Sequence, residues 1–192
     1  AAREGDDFIL NGTKMFISHA DIADMVCIAA KTDPSVPGHK GTSIFVVDTK
    51  TPGFGIGKHE NKMGVRGSST VEIVLEDVRV PAENILSGEG KGFPIIMKTL
   101  DLTRIPVAAQ AIGIAQGALD YAVAYTKERT QFGKPIFSFQ GLQWMMADMT
   151  TQVEAARQLT YKAASLFEGL PKNLDRLPTE TIRYSAMAKL MA

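Results

Sequence analysis

The chain has 192 residues, of which 45% are hydrophobic and 22% are charged, and its 21 basic and 21 acidic residues leave a formal net charge of zero. This size and composition are typical of one large or two small globular domains with a buried core. With no concentration of basic residues and no apolar run of membrane-spanning length, the sequence argues against nucleic acid or a membrane as the partner. The single cysteine excludes a disulfide within the chain, which fits a reducing compartment.

The first half of the sequence predicts β-strands. Residues 8–18 read FILNGTKMFIS, and the dipeptide Asn11-Gly12 inside them favours a type I′ turn, so a short hairpin is expected here. Residues 25–30, 42–47 and 71–75 are apolar runs or alternating segments that predict three further strands. Strands at this spacing, with turn residues between them, indicate an antiparallel, barrel-like sheet that ends near Pro81.

The second half predicts helices. From about residue 93, apolar residues recur mostly at spacings of three and four, which predicts a long helix with one buried stripe. That stripe comprises Phe93, Met97, Leu100, Val107, Ala111, Ile114, Ala118 and Tyr121. The segment Gly133-Lys134-Pro135 predicts a break, after which an antiparallel second helix runs over residues 138–168 with Ser138 as its cap. After a second break, at 169–178, a third helix begins near Thr179.

These elements together predict an α+β chain. We expect an antiparallel, barrel-like β domain over residues 1–85, followed by part of an α-helical bundle over residues 86–192. Three histidines and one cysteine without ligand spacing predict no metal site. The glycine-rich GFGIG lies between predicted strands rather than before a helix, so it does not predict a phosphate-binding loop.

The end of the first strand segment offers a possible binding surface. Because side chains alternate along a strand, Phe16 and Ser18 point to one face and Ile17 to the other. If Ile17 faces the core, a flat ring and a hydroxyl are presented together at a surface. The strand pattern by itself favours the other reading, in which Phe16 is in the core and Ser18 is solvated. His19 is either an acid or base, or a polar surface residue.

Two arginines mark the helical half. Arg104 precedes Pro106, whose missing amide leaves the Leu102 carbonyl without its helical partner. A guanidinium at such a position is suited to bind a phosphate or carbonyl oxygen, but an ion pair with Asp101 is equally compatible with the spacing. Arg129 belongs to the motif ERTQFGKP, which from the residues alone is a basic helix end.

Taken in order, the motifs resemble those of the acyl-CoA dehydrogenase family of flavoproteins. The matching stretches are NGTKMFIS, KMGVRGSST, LEDVRVPAENIL, GKGF, LDLTR, AIGIAQGALD, and ERTQFGKP with Gln140. The resemblance covers essentially the whole chain and implies an internal fragment, with the later part of the middle β domain and the first helices of the C-terminal domain. Some subgroups place the catalytic glutamate where this sequence has Thr103, so the resemblance implies a catalytic base beyond Ala192 and none within this chain.

The resemblance also implies roles for particular residues. Phe16, Ile17 and Ser18 correspond to the strand that contacts the FAD cofactor, with the hydroxyl reaching the ring nitrogen that accepts hydride, which reverses the preference drawn from the strand pattern. The acyl-CoA substrate is contacted by the segment Asp101, Leu102, Thr103 and Arg104. Arg129 and Gln140 correspond to residues that reach the FAD of a neighbouring subunit, which implies a homo-oligomer, either a dimer or a tetramer. The family commonly has asparagine where His19 stands.

The implied activity is α,β-dehydrogenation of an acyl-CoA thioester, with hydride transfer to FAD, by an oxidoreductase of fatty acid metabolism of the short-chain or butyryl-CoA-like kind. An electron-transferring flavoprotein is the implied acceptor, and the cytoplasm, or the mitochondrial matrix in a eukaryote, is the implied compartment. We expect the fragment alone to be inactive. Two alternatives remain: a noncatalytic assembly or ligand-binding module of the same fold, and a flavin-dependent oxidase or monooxygenase relative.

Overall fold

The computed structural model describes residues 1–36, 38–171, 174 and 176–192. Contacts divide the chain into two compact units, Ala1–Ile96 and Met97–Ala192. The first unit contains six strands and the second contains most of the helical residues. The predicted α+β class is confirmed by this arrangement.

The first unit is built from two antiparallel sheets. Strands β1 (Ala2–Glu4), β2 (Asp7–Ser18), β6 (Thr70–Pro81) and β5 (Phe54–His59) form a four-stranded sheet in the order β1-β2-β6-β5. Strands β3 (Met25–Lys31) and β4 (Thr42–Asp48) form the second sheet. The strands predicted at 25–30, 42–47 and 71–75 are therefore confirmed. Among the described residues both sheets are open, so the barrel-like sheet does not close.

The core of the first unit lies between the two sheets. Phe8 of β2 and Phe45 of β4 meet edge to face, with ring centroids 5.2 Å apart. Apolar side chains from alternate positions of the strands surround this pair, as expected for sheets that each bury one face. The buried cluster is Phe8, Leu10, Ala20, Ile28, Phe45, Val47, Val71, Ile73, Leu75, Val78 and Val80.

The hairpin predicted at Asn11-Gly12 is wrong, because β2 runs through this dipeptide and pairs with β6 on both sides of it. The pairing shifts here, since two steps along β2 are matched by three steps along β6, and the extra residue is Asp77 with φ of +52°. The Asn11 amide donates to the Asp77 carboxylate at 2.8 Å, and the Asp77 backbone amide donates to the Asn11 side-chain oxygen at 2.8 Å. Asn11 therefore stabilises a β-bulge in the facing strand instead of a turn.

A second bulge, of the opposite sense, lies near the end of β2. Lys14 pairs with Ile73 and Ile17 pairs with Val71, so β2 carries the extra residue here. Phe16 has φ of +59°, a left-handed conformation that is uncommon for a bulky residue. This bulge changes which residues of β2 face inward.

The helices are α1 (Gly92–Glu128), α2 (Gln140–Glu168) and α3 (Thr179–Met191). All three predicted helices are confirmed, and Pro106 lies inside α1. The prediction that Ser138 caps α2 is wrong, because its hydroxyl donates to the Pro135 carbonyl and Phe139 occupies the cap position without a side-chain bond.

A two-residue hairpin joins α1 to α2. Strands β7 (Thr130–Gln131) and β8 (Lys134–Pro135) pair across Phe132 and Gly133, whose φ values are +52° and +77°. Positive φ at both central residues is the geometry of a type I′ turn. The turn type that Asn11-Gly12 predicted for the first half is therefore found in the second.

The predicted buried stripe of α1 is wrong within this chain, since six of its residues are exposed: Met97, Leu100, Val107, Ile114, Ala118 and Tyr121. The buried side chains of α1 lie on another face of the helix: Ala108, Ile112, Leu119 and Thr126. Ala108 shares a buried cluster with Ala163 of α2 and Ala188 of α3, so small side chains allow the three helices to approach closely. Periodicity identified an apolar face of α1, but not the face that packs here.

Hydroxyl side chains are also buried where the helices meet. Thr160 of α2 and Ser185 of α3 donate to carbonyls within their own helices, each at 2.9 Å. Such bonds satisfy a hydroxyl without a partner on the facing helix. Small polar residues therefore fit into this interface together with the alanines.

Helices α1 and α2 are antiparallel, as predicted. Ala108 clusters with Ala163, and further along α1 the Gln116 side chain accepts a hydrogen bond from Arg157 at 2.6 Å. Later positions of α1 therefore meet earlier positions of α2.

Gly53 is expected to tolerate no side chain. It has φ of +86°, and a Cβ atom would lie 2.0 Å from the Glu76 carbonyl oxygen. Gly5 also has positive φ, at +61°, but a Cβ atom there would lie more than 4 Å from any other described part of the chain, so Gly5→Ala serves as the matched control. We expect Gly53→Ala to lower the free energy of unfolding by about 1–3 kcal/mol more than Gly5→Ala, measured by urea denaturation. Equal losses would show that only the backbone conformation matters.

Candidate functional site in the first unit and charged positions on the helices

The second bulge of β2 turns Phe16 outward. Phe8, Leu10 and Phe16 are separated by even numbers of residues, so in a regular strand all three would face the core. Because of the extra residue, Ile17 packs against the core instead, while the Phe16 ring is 68% exposed. Ser18 is also exposed, and it pairs with Thr70 of β6. The reading in which Phe16 lies in the core is therefore wrong, and a flat ring and a hydroxyl are presented at one strand end.

Three hydrogen bonds tie the chain beyond Ser18 to the segment before Thr70. The His19 backbone amide donates to the Ser69 carbonyl at 3.2 Å. The His19 Nε2 atom lies 2.8 Å from the Ser68 hydroxyl. The Ser69 hydroxyl donates to the Asp21 carboxylate at 2.5 Å. We call these contacts the β2 clamp, since they continue the link between β2 and β6 after the regular ladder ends.

The Asp21 carboxylate gives the clamp its charge. The hydrogen bond from Ser69 lowers the pKa of Asp21 below its ordinary value, and the nearby imidazoles of His59 and His19 act in the same direction, against partial desolvation. The Nδ1 atom of His59 lies 3.9 Å from the second carboxylate oxygen. Asp21 therefore remains ionised at neutral pH, with the imidazoles of His59 and His19 nearby.

A cleft of about 220 Å³ lies beside the clamp. It is lined by His59, Glu60, Asn61, Lys62, Arg66, Ser68, Ser69 and Thr70. The Lys62 ammonium donates to the Ser68 carbonyl at 2.5 Å and so fixes the loop that forms one wall. Arg66, Ser68 and Thr70, which belong to the motif KMGVRGSST, thus gather at the end of β2.

Backbone strain is concentrated at this end of the unit. Phe16, His19 and Val65 all have positive φ, at +59°, +61° and +50°. Non-glycine residues in this region are uncommon and tend to occur at functional sites, where surrounding contacts hold them in place. The strain and the clamp together identify the end of β2 as the candidate site of the first unit.

The sequence did not indicate the roles of Asp21 and Ser69. Asp21 follows the strand end by three residues, and Ser69 immediately precedes Thr70, which pairs with Ser18. The sequence does show a polar residue shortly after the end of β2 and another just before the start of β6. These two residues can be matched with each other only if the pairing register of β2 with β6 is known. That register is a long-range property which local patterns do not supply.

In the second unit, Asp101 and Arg104 form an ion pair with an N–O distance of 3.1 Å. This confirms the ion-pair alternative for Arg104. The Asp101 side chain is 16% exposed, whereas Leu102 and Thr103 are exposed. A guanidinium has five N–H donors, so pairing with one carboxylate leaves Arg104 with donors for a further oxygen.

Arg129 and Gln140 flank the hairpin between α1 and α2. The Arg129 amide donates to the Tyr125 carbonyl at 2.9 Å, and its carbonyl accepts a bond from Ile136 at 2.8 Å. Both the Arg129 and the Gln140 side chains are exposed. At the hairpin tip, the Phe132 ring is 91% exposed and meets Phe139 edge to face. The hairpin therefore presents an arginine, an amide and an aromatic ring to solvent.

Over residues 1–36, 38–171, 174 and 176–192, no three His, Cys, Asp or Glu side chains are grouped so that they could hold a metal ion. In the same ranges, none of the helices combines the length and the apolar character required to cross a membrane.

Comparison with known proteins identifies the family. Residues 1–78 match the acyl-CoA dehydrogenase middle domain, and residues 90–192 match the acyl-CoA dehydrogenase C-terminal domain. The chain belongs to the acyl-CoA dehydrogenase family. The resemblance drawn from the sequence motifs is thereby confirmed.

Three relatives illustrate the range within the family. The short-chain specific acyl-CoA dehydrogenase of Clostridium acetobutylicum is 54% identical over 176 residues, which are 91% of this chain and 46% of the relative. The caffeyl-CoA reductase-Etf complex subunit CarC of Acetobacterium woodii is 53% identical over 164 residues, 85% of this chain and 43% of the relative. The structure of butyryl-CoA dehydrogenase from Megasphaera elsdenii has a TM-score of 0.91 at 47% identity, covering 99% of this chain and 48% of that one. The chain thus spans about half the length of these relatives.

The β2 clamp is expected to weaken in acid. Because the folded-state pKa of Asp21 is lowered, its contribution to stability is present above the unfolded-state pKa of about 4 and is lost as the pH falls through the folded value. Asp21→Asn should therefore destabilise the protein at pH 7 and reduce the loss of stability between pH 5 and about 2. Thermal unfolding across this pH range measures both effects, with Asp148→Asn on α2 as the control for removal of one carboxylate. An unchanged pH dependence in Asp21→Asn would contradict the assignment.

Proposed function

We propose that the protein to which this chain belongs is an FAD-dependent acyl-CoA dehydrogenase acting on short acyl thioesters. The observation that carries the proposal is the bulge in β2, which places the Phe16 ring and the Ser18 hydroxyl together on the exposed side of a strand end. The family membership of the chain and its similarity to short-chain and butyryl-CoA dehydrogenases support the same conclusion. In this proposal the catalytic glutamate lies outside residues 1–192.

The residues at the end of β2 fit a flavin ring system. A flat aromatic side chain offers an apolar surface to a planar heterocycle, and a hydroxyl can donate to a ring nitrogen at the edge of that heterocycle. FAD would supply the hydride-accepting chemistry when bound. In this proposal Ser18 donates a hydrogen bond, Phe16 excludes water, and Ile17 anchors the strand end to the core.

The ion pair on α1 fits a role in substrate binding. Asp101 fixes the orientation of the Arg104 guanidinium, whose remaining N–H donors are suited to the carbonyl and phosphate oxygens of an acyl-CoA. Leu102 and Thr103 are exposed on the same turn and would contact the acyl-CoA alongside this pair. The segment from Asp101 to Arg104 is thus proposed as the substrate-binding segment.

The separation of the two arginines favours a homo-oligomer, either a dimer or a tetramer. Arg104 lies within α1 and Arg129 follows its last residue, so 25 residues at 1.5 Å per residue place them about 37 Å apart. One active site cannot readily use both. We therefore propose that Arg104 serves the acyl-CoA of its own subunit, whereas Arg129 and Gln140 serve the FAD of a neighbour.

An electron-transferring flavoprotein is the proposed electron acceptor. One relative, named as a subunit of a caffeyl-CoA reductase-Etf complex, is 53% identical to this chain. The proposed compartment is the cytoplasm, or the mitochondrial matrix if the source is eukaryotic. Because that relative is named as a reductase, measurements should cover both directions of the reaction.

The test uses the full-length parent protein. We expect purified protein to carry FAD, and anaerobic addition of butyryl-CoA to bleach the oxidised flavin absorbance. A parent protein that binds acyl-CoA without flavin would support the noncatalytic alternative and contradict the proposal. Rapid reoxidation by air after reduction would instead indicate an oxidase or monooxygenase, since a dehydrogenase should react slowly with oxygen.

Substitutions of the two arginines should impair different functions. We expect Arg129→Ala to weaken FAD binding by about tenfold or more while leaving the KM for acyl-CoA largely unchanged, because one charge-assisted contact is lost at a single site. Arg104→Lys should raise KM by about tenfold with FAD retained, since lysine cannot reproduce a forked guanidinium contact. Flavin titration and steady-state kinetics of the full-length oligomer measure the two effects. Loss of both functions in either variant would contradict this division.

A further inference from the structure

We propose that His19 is a positioning residue, which holds the Ser18 hydroxyl in place through its contact with Ser68. This inference rests on the proposed function, in which Ser18 contacts the flavin. It concerns a side chain outside the three residues assigned to that contact. The relevant surroundings are the end of β2, the β2 clamp and the cleft beside it.

The position of Ser18 makes its orientation dependent on the clamp. On one side, Ile17 and Ser18 pair with Val71 and Thr70, the last pairs of the ladder between β2 and β6. On the other side the ladder has ended. The next residue, His19, holds the chain there, because its backbone amide donates a hydrogen bond to the Ser69 carbonyl and its ring contacts the Ser68 hydroxyl. Ser18 is thus fixed from both sides, and on the second side the adjacent side chain is the imidazole.

The backbone at His19 makes the ring contact more important. His19 has φ of +61°, and it begins a turn in which its carbonyl accepts hydrogen bonds from the amides of Ile22 and Ala23 at 3.1 and 3.0 Å. Histidine and asparagine adopt this conformation more readily than most residues, but the conformation remains uncommon. The bond from the imidazole to Ser68 helps to hold the turn, and through it the direction of the preceding residue.

The charged groups around His19 maintain the contact. Asp21 is bonded to Ser69 and lies near His59, and Lys62 is bonded to the Ser68 carbonyl. The loop that carries the Ser68 hydroxyl is therefore held at two points, the Ser68 carbonyl and the Ser69 side chain. Because the Ser68 hydroxyl is fixed in this way, its contact with the His19 imidazole can hold His19, and with it Ser18, in one orientation.

Two substitutions separate the ring contact from the backbone requirement. In His19→Gln the amide nitrogen can reach the position of Nε2, but glutamine has less tendency to adopt positive φ. In His19→Asn the positive φ is tolerated, but the side chain is too short to reach Ser68 in the same way. We expect glutamine to preserve flavin affinity and asparagine to weaken it.

The experiment measures FAD affinity, the visible absorption spectrum of the bound flavin and thermal stability in the full-length holoprotein. His19→Ala and Ser68→Ala should each weaken FAD binding by about threefold to tenfold and shift the flavin spectrum, as expected for the loss of one hydrogen bond. The double variant should be no worse than either single one. In a Ser18→Ala background, His19→Ala should have little further effect on the spectrum.

The inference would be overturned by an unchanged spectrum and affinity in His19→Ala, by additive losses in the double variant, or by full function in His19→Asn with loss in His19→Gln. A fall in thermal stability with an unchanged flavin spectrum would indicate a merely structural role and would also overturn it. Failure of the proposed function is distinguishable, because the wild-type full-length protein would then either bind no FAD or, as an oxidase or monooxygenase, bind FAD and reoxidise rapidly in air. His39→Ala, in the loop before β4, is the control for removing an imidazole elsewhere in the first unit.

Discussion

The pairing of β2 with β6 is the constraint on which the candidate site depends. The pairing begins with Asp7 opposite Pro81 and ends with Ser18 opposite Thr70, so both strands advance by eleven residues although the register shifts twice between these pairs. The bulge at Asp77 adds a residue to β6, and the bulge at Phe16 adds one to β2. Each bulge compensates for the other. Loss of only one of them would therefore shift the pairing of Ser18 with Thr70, and only the second turns Phe16 outward.

The sequence predicted elements more reliably than it predicted their contacts. Apolar runs located β3 and β4, and the three-and-four spacing located α1, because both signals are local. The Asn11-Gly12 hairpin failed since a turn preference was outweighed by pairing with Asp77, which lies 66 residues away. The buried stripe of α1 failed for a related reason: the helix is apolar on more than one face, and neighbours that are distant in sequence decide which face is covered.

The residues of the candidate site show the same limit. Alternation along β2 could state that Phe16 and Ser18 share a face, but not which face, because a single inserted residue exchanges the inside and the outside of a strand. The resemblance to a family supplied the choice for Phe16, Ile17 and Ser18. It supplied no role for Ser68, whose contact with His19 depends on the register of two strands and on a turn with positive φ.

The strained conformations at the end of β2 require compensation from nearby contacts. A left-handed non-glycine residue costs about 1–2 kcal/mol, and Phe16 and His19 are both of this kind. A typical hydrogen bond contributes about 0.5–1.5 kcal/mol, so the three bonds of the β2 clamp are of the size needed to offset that cost. Glycine at either position would remove much of the strain, but it would also remove the exposed ring or the imidazole. The Phe16 and His19 side chains that impose the strain are therefore also those that give this strand end its chemistry. The hydrogen bonds of the β2 clamp stabilise the end of β2 enough to offset that strain.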